Sequence, residues 1–341
     1  MAQLHATHKF KSLRVVHINH GLNPQADAWE KHCRQTCEAL SIPFFSKKIT
    51  LDIKSGESIE ALARQERYAV FRRLIKPDEN IVTAHTKEDQ AETFLLQLLR
   101  GAGPKGLSAM PEKKIMGAGC LLRPLLHTRR AELVHYAKLH RLKWIEDDTN
   151  AELRFNRNYL RHQIFPVLQK RWPESVFMIA RSAQHCAEAS SLLDELADLD
   201  LSVVQHGNQL SLEKLLSLSE RRQRNVLRRW IARQGYRAPN TKHMDQIQNH
   251  LIKARSDANP IFSWDETEIR RYQNYLYLLP SVSQSNKAVK IPWDFKNPIQ
   301  LPHEAGVLIA VKKEGEGISA AMDTSQVTIR FRQGGERCRP Q

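Results

Sequence analysis

The sequence predicts an α/β fold, a parallel sheet with helices on both faces, followed by a mainly helical region and a partial β-containing C-terminal part. Three observations carry this. Short β-branched runs alternate with amphipathic helical stretches over the first 145 residues, the pattern of a parallel sheet covered by helices. From about residue 156 the chain turns helical almost throughout, and short strand-like runs return near residue 261. The expected domains are 1–150, an α/β domain; 151–280, a mainly helical domain; and 281–341, a linker with an incomplete C-terminal domain.

The elements follow in order. "LRVVHI" (13–18) reads as a buried strand, and "NPQADAWEKHCRQTCEAL" as a helix with Asn23 at its N-cap and Pro24 at its first position. "PFFSKKI" (43–49) is a second strand. "SIEALARQERYAVFRRLIK" (58–76) is a second helix with apolar residues at Ile59, Leu62, Ala63, Ala69, Val70 and Leu74. "NIVTA" (80–84) is a third strand. "TKEDQAETFLLQLLR" (86–100) is a third helix, capped by Thr86 and acidic in its first turn. Later come "NRNYLRHQIFPVLQKRW", a long helix from near Ser175, an arginine-rich helix and "TKHMDQIQNHLIKA". The strand-like runs are "IFSW", "EIRRYQNYLYLL", "AGVLIAVKK" and "VTIRFRQ".

The 341 residues allow two or three domains, with 41% hydrophobic and 26% charged residues. There is no run of 18 apolar residues and no secretory leader pattern, so no membrane partner is expected. Five scattered cysteines make no disulfide framework, which points to a reduced, cytoplasmic protein. The net charge of +15 favours a polyanionic partner, against the plainer reading of a generally basic surface. "RRQRNVLRRWIARQGYR" (221–237) holds seven arginines and no acid around Val226, Leu227, Trp230 and Ile231. It reads as an amphipathic helix with one buried stripe and a cationic remainder, Arg228 and Arg229 included, suited to phosphate contacts.

Four stretches bear on chemistry. "GAGPKG" (101–106) spells G-x-G-x-x-G, but a helix precedes it where a dinucleotide-binding turn needs a strand. Gly101 sits where a helix C-cap glycine belongs; the loop either ends a helix or brings Arg100 and backbone N–H groups to a phosphate. "HINHG" (17–21) ends the first strand, on the edge where open α/β sheets bind ligands, although polar residues reaching water also suit a strand end. In "TAHTKEDQAET" (83–93), His85 closes the third strand, while Asp89 and Glu92 share a helix face. These acids either answer the helix dipole or hold an ammonium group or Mg²⁺. "WIEDDTNAELRFNRNYLRH" (144–162) carries Arg154, Arg157 and Arg161 at helical intervals, either a solvated basic face or a strip for a triphosphate or RNA backbone. No cysteine–histidine spacing marks a metal site made of protein ligands alone.

Taken in order, "HINHGL", "EALARQERY", "TAHTKEDQAETFLLQLLRGAGPKGLSAM", "RPLL" (123–126) and "WIEDDTNAELRFNRNYLRH" resemble the bacterial tRNA(Ile)-lysidine synthases of the PP-loop superfamily, over essentially the whole chain. The resemblance implies an adenine-nucleotide alpha-hydrolase-like fold and an ATP-dependent ligase, ATP acting with Mg²⁺. It implies that ATP adenylates C2 of the wobble cytidine (position 34) of tRNA(Ile) with a CAU anticodon, and that L-lysine then displaces AMP to give lysidine. It also allows a homodimer. By residue, it assigns His20, Gly21 and His85 to ATP binding. Asp89, Glu92 and Arg100 fall to catalysis, Arg157 and Arg161 to phosphate, and Arg228 and Arg229 join them for tRNA.

Two departures accompany it. The family's "SGGxDS" phosphate loop is absent from the sequence, and "HTKED" stands where the family commonly has "HHxDD". The chain thus reads as a lysidine synthase lacking its first strand, its phosphate loop and part of its tail. These 341 residues alone are expected not to make lysidine. The alternatives are an inactive tRNA-binding remnant and another PP-loop tRNA-modifying enzyme, of which a thiolation enzyme is disfavoured by the lack of C-x-x-C.

Overall fold

The computed structural model describes residues 12–51, 59–255, 258–281, 290–302, 306–311, 313–315 and 327–330. Contacts gather the chain into two compact units, Met1–Leu192 and Leu193–Gln341. The part of "VTIRFRQGGERCRP" beyond Arg330 lies outside the described residues.

In the first unit, β1 (Val15–Asn19) pairs in parallel with β2 (Phe44–Lys48), and α1 (Ala26–Ala39) connects them. Helix α2 (Ile59–Leu74) leads to β3 (Asn80–Val82), which pairs in parallel with β5 (Gly119–Leu122). An antiparallel hairpin joins β4 (Lys113–Met116) to β5 through Gly117 and Ala118. The described strands of this unit thus form a parallel pair, β1–β2, and a three-stranded sheet in the order β3–β5–β4. One apolar cluster unites the two sheets: Phe71 and Tyr68 of α2 meet Val16 and Ile18 of β1, Ile81 of β3, and Met116 and Leu121.

The strand ends set the loops that matter. Helix α3 (Lys87–Leu98) starts directly after β3, with Thr86 as its N-cap and Asp89 closing a capping box. Helix α1 starts later than its sequence predicts. Gln25, not Asn23, is the N-cap, because the Asn23 side chain accepts the Gln25 N–H at 2.7 Å and makes a turn before the helix.

Gly101 does end α3: its φ of +69° takes the left-handed conformation of a C-cap glycine, and its N–H reaches the Leu98 carbonyl at 2.9 Å. Pro104 then opens a four-residue helix, α4 (Pro104–Leu107), within the stretch that the sequence predicts as a loop. After α5 (Arg130–Leu139), a helical run comprises α6 (Asn156–Tyr159), a π-helical segment Leu160–Ile164, and α7 (Phe165–Arg171). Leu160 and Phe165 of this run are buried against Ala91 of α3. The first compact unit therefore continues well past residue 150.

The long helix α8 (Ser175–Val204) passes from one unit into the next. In the second unit, β6 (Gln205–His206), β7 (Gln209–Ser211), β8 (Ile261–Trp264), β9 (Thr267–Tyr272) and β10 (Tyr275–Pro280) form an antiparallel sheet in the order β6–β7–β10–β9–β8. Between β7 and β8 lie α9 (Leu212–Leu216), α10 (Glu220–Arg233), α11 (Thr241–Gln246) and a π-helical segment Ile247–Ile252. The predicted stripe of α10, Val226, Leu227, Trp230 and Ile231, is buried among Ile247, Leu251, Ile269 and Leu276. Further along, β11 (Lys290–Trp293) pairs with β14 (Val327–Arg330), and β12 (Ile299–Gln300) with β13 (Val307–Leu308). No helix among the described residues is long and apolar enough to cross a membrane.

Gly119 is the tightest point of the first sheet. A Cβ there would stand 2.0 Å from the Glu79 carbonyl oxygen and 2.7 Å from Ile75 Cδ1. Backbone must move to admit it, so Gly119→Ala is expected to cost about 1–3 kcal/mol. Thermal unfolding of the variant beside the wild type measures the loss; an unchanged midpoint would refute this close approach.

Candidate active site

Three structural transitions bring polar side chains to the carboxyl ends of the strands of the first unit. At the end of β1, Asn19 is buried, and its side-chain amide donates to Asp27 Oδ1 at 2.8 Å and Glu30 Oε2 at 3.3 Å. Its Oδ1 accepts the Gly21 N–H at 3.0 Å. Gly21, at φ +63°, turns the chain there, and the neighbouring His20 keeps a buried Nδ1 with no hydrogen-bond partner. Burial is the main reason that the His20 pKa lies below its ordinary value; Arg67 and His17 push the same way, while Asp147 opposes them.

At the end of β3, the Thr83 hydroxyl shares a 2.9 Å hydrogen bond with His85 Nδ1. Burial, reinforced by Arg123, Arg157 and Arg64 and opposed by Asp89, pushes the His85 pKa down to about 4. His85 is therefore neutral near pH 7, with Nδ1 engaged by Thr83 and Nε2 left to face a ligand.

The first turns of α3 carry the acids. One oxygen of Asp89 accepts the Thr86 N–H at 2.8 Å and the Thr86 hydroxyl at 3.1 Å. Its other oxygen faces Arg157 at 4.0 Å and Arg161 at 3.9 Å. Glu92, one turn on, is 1% exposed. Its Oε1 accepts from Arg161 Nε at 2.9 Å and Nη2 at 2.8 Å, and its buried Oε2 accepts no hydrogen bond from the protein. Burial raises the Glu92 pKa, and Asp89 adds to the rise, while Arg161 and Arg157 draw it back. Arg157 also donates to Thr93 Oγ1 at 3.0 Å.

His85, Asp89, Glu92, Arg157 and Arg161 thus form one cluster, and His20 with Gly21 marks the neighbouring strand end. Arg100 stands apart. It is exposed beyond the C-terminal end of α3, about 16 Å of helix rise from Asp89. In the second unit, Arg229 is held by Asp198 at 2.6 Å and Asp194 at 3.1 Å, whereas Arg228 is exposed.

Sequence reasoning gave no role to three further residues. Arg123, 3% exposed at the end of β5, donates to the Pro111 carbonyl at 2.6 Å and reaches the Tyr68 hydroxyl at 3.5 Å. Arg64 approaches the same hydroxyl at 3.4 Å and lies over the Tyr68 ring. Despite its burial, the Tyr68 pKa is drawn below its ordinary value by Arg64, Arg123 and Arg67. Their signal lay in "EALARQERY" and "RPLL": Arg64 and Tyr68 are four apart on one helix face. Among the described residues, no three His, Cys, Asp or Glu side chains gather as a metal site.

A guanidinium-rich cluster with a neutral histidine and two carboxylates suits a reaction that stabilises phosphate charge and moves a proton. Residues 1–168 match the PP-loop domain, and residues 210–277 match the TilS substrate binding domain. The tRNA(Ile)-lysidine synthase of Coxiella burnetii is 55% identical over 96% of this chain and 73% of its own length. That of Pectobacterium atrosepticum is 42% identical over 95% of this chain and 74% of its own. A solved structure, the U34-tRNA thiolase NcsA from Methanococcus maripaludis with its [4Fe-4S] cluster, matches at a TM-score of 0.43 with 16% identity. It covers 52% of this chain and 62% of that chain, too distant a likeness to weigh. This chain, spanning about three quarters of its curated relatives, belongs to the tRNA(Ile)-lysidine synthase family.

Proposed function

We propose that the chain serves the ATP-dependent ligation of L-lysine to C2 of cytidine 34 in tRNA(Ile) with a CAU anticodon. The observation that carries this reading is Glu92, a carboxylate sealed from water with one oxygen on Arg161 and the other unpaired. Such an oxygen is built to receive a cationic donor, and the ε-ammonium of lysine is one.

The residues divide the work by charge. ATP supplies the adenylyl group that turns the C2 oxygen into a leaving group. At the end of β1, the unpartnered His20 Nδ1 and the glycine turn at Gly21 form a polar edge suited to the nucleoside. Neutral His85 can donate to a phosphate or accept from a hydroxyl without adding charge. Arg157 and Arg161 face the developing negative charge, with Arg64 and Arg123 adding positive charge near His85. Glu92, its pKa raised, takes a proton from the lysine ammonium, because only the free amine attacks carbon. Asp89 adds negative charge beside it. Mg²⁺ would take its ligands chiefly from phosphate and water, with Asp89 as the carboxylate within reach.

The direct test is transfer of labelled lysine to tRNA(Ile) with stoichiometric AMP and pyrophosphate. tRNA binding without any product would favour the remnant. Glu92→Gln should keep the volume and lose the proton acceptor, lowering the lysine-transfer step on the order of 10²-fold or more. Formation of the adenylated tRNA should fall much less. Equal loss in both steps would reject the assignment.

His85 yields a pH prediction. Its folded pKa is about 4, against 6.5 for the unfolded chain, so the unfolded state binds the extra proton between those values. The resulting stability is complete above pH 6.5 and is lost as pH falls toward 4. Wild-type protein should therefore lose melting temperature more steeply over that window than His85→Gln. Parallel curves would show that His85 is not buried as a neutral ring.

A further inference from the structure

The arginines of α10 have two different surroundings. On one side, Arg222 pairs with Asp200, a carboxylate 3% exposed on α8, and Arg229 and Arg233 grip Asp198 at 2.6 and 2.9 Å. Asn225 extends this edge by donating to the Leu193 carbonyl at 2.6 Å. These groups fasten α10 to the part of α8 that lies in the same unit. On the opposite edge, Arg224 leans on α11 and the π-helical segment after it. It donates to Gln248 Oε1 at 2.5 Å and lies 3.9 Å from Asp245.

Between those edges the helix faces water. Arg221, Arg228 and Ala232 fall on that side, seven and four residues apart, so they form one row along the helix. No ion pair to Arg221 or Arg228 occurs among the described residues. Arg228 has Arg224 as its neighbour, with Asp245 as partial relief. Partial removal from water and that like charge together hold its guanidinium below the ordinary range. A like-charged row without its own acids is the surface that gains most from an incoming line of anions.

We propose that the row Arg221–Arg228, with Arg224 at its edge, is the surface on which this unit seats the phosphate backbone of its RNA substrate. Arg222, Arg229 and Arg233 hold the helix in place and take no part in that contact. The assignment rests on the tRNA-modifying reading above, and it divides a basic helix that the sequence alone treats as one strip.

The test compares charge-matched variants of the full chain. Kd for unmodified tRNA(Ile) is measured across a salt series for wild type, Arg228→Met, Arg221→Met/Arg228→Met and Arg233→Met. Each lost phosphate contact should reduce the slope of log K against log salt by about one, and affinity at low salt by roughly three- to tenfold. The double variant should therefore lose a slope of about two while keeping the wild-type melting temperature. Arg233→Met should keep the slope and lower the melting temperature. Wild-type slope in the double variant, or equal loss in Arg233→Met, overturns the inference while leaving the tRNA-modifying reading intact. Wild-type protein that holds no tRNA at low salt overturns both.

Discussion

A carboxylate almost wholly removed from water cannot stand without a cation, and Glu92 has one cation, Arg161, in direct contact. Taking both groups out of water costs several kcal/mol each, and their attraction offsets this only with good geometry. Two guanidinium nitrogens on Oε1, at 2.8 and 2.9 Å, supply it. The pair ties α3 to the π-helical segment Leu160–Ile164, and the buried contacts of Leu160 and Phe165 with Ala91 close over the same junction. A π-helical turn shifts side chains off the ordinary helical register. Here it falls where Arg161 must meet Glu92 while Arg157, one turn earlier, meets Thr93 and faces Asp89. Without Arg161, the cluster at the end of β3 would hold an unpaired charge.

Charge in the second unit obeys the same constraint. A net charge of +15 does not measure how many cations await a partner. On α10, Arg222, Arg229 and Arg233 are already matched by Asp194, Asp198 and Asp200, whose pairs fix the helix to α8. Only position around the helix separates an arginine that builds the unit from one that can meet a ligand.

Much of this was legible from the chain because local signals coincide with the tertiary demand. Thr86 before an acidic first turn announced α3 and its cap, and Gly101 announced its end. The buried stripe of α10 followed from spacing alone. The β4–β5 hairpin was missed because "KKIMGAGCLL" shows no clean alternation: Ile115 is exposed, and Gly117 and Gly119 are small because α2 and Glu79 press on them. The β6–β7 hairpin was missed because strands of two and three residues carry almost no periodicity. Arg123 was silent for another reason. Its neighbours Pro111 and Tyr68 are 12 and 55 residues away, so its role exists only in three dimensions.

Tertiary geometry also separates two readings of the acids in "TKEDQAET". A helix N-terminus attracts carboxylates by its dipole and its free N–H groups, which accounts for Asp89: one of its oxygens closes the capping box with Thr86. The dipole does not account for Glu92. By its position the backbone N–H groups are engaged within the helix, the dipole's influence is fading, and burial opposes the charge it carries. Stability alone would favour an apolar side chain there, packed beside Ala91. On the proposed reading, the substrate brings the donor that the buried Oε2 of this carboxylate lacks. The two acids share a helix face, but the helix terminus accounts for only one of them.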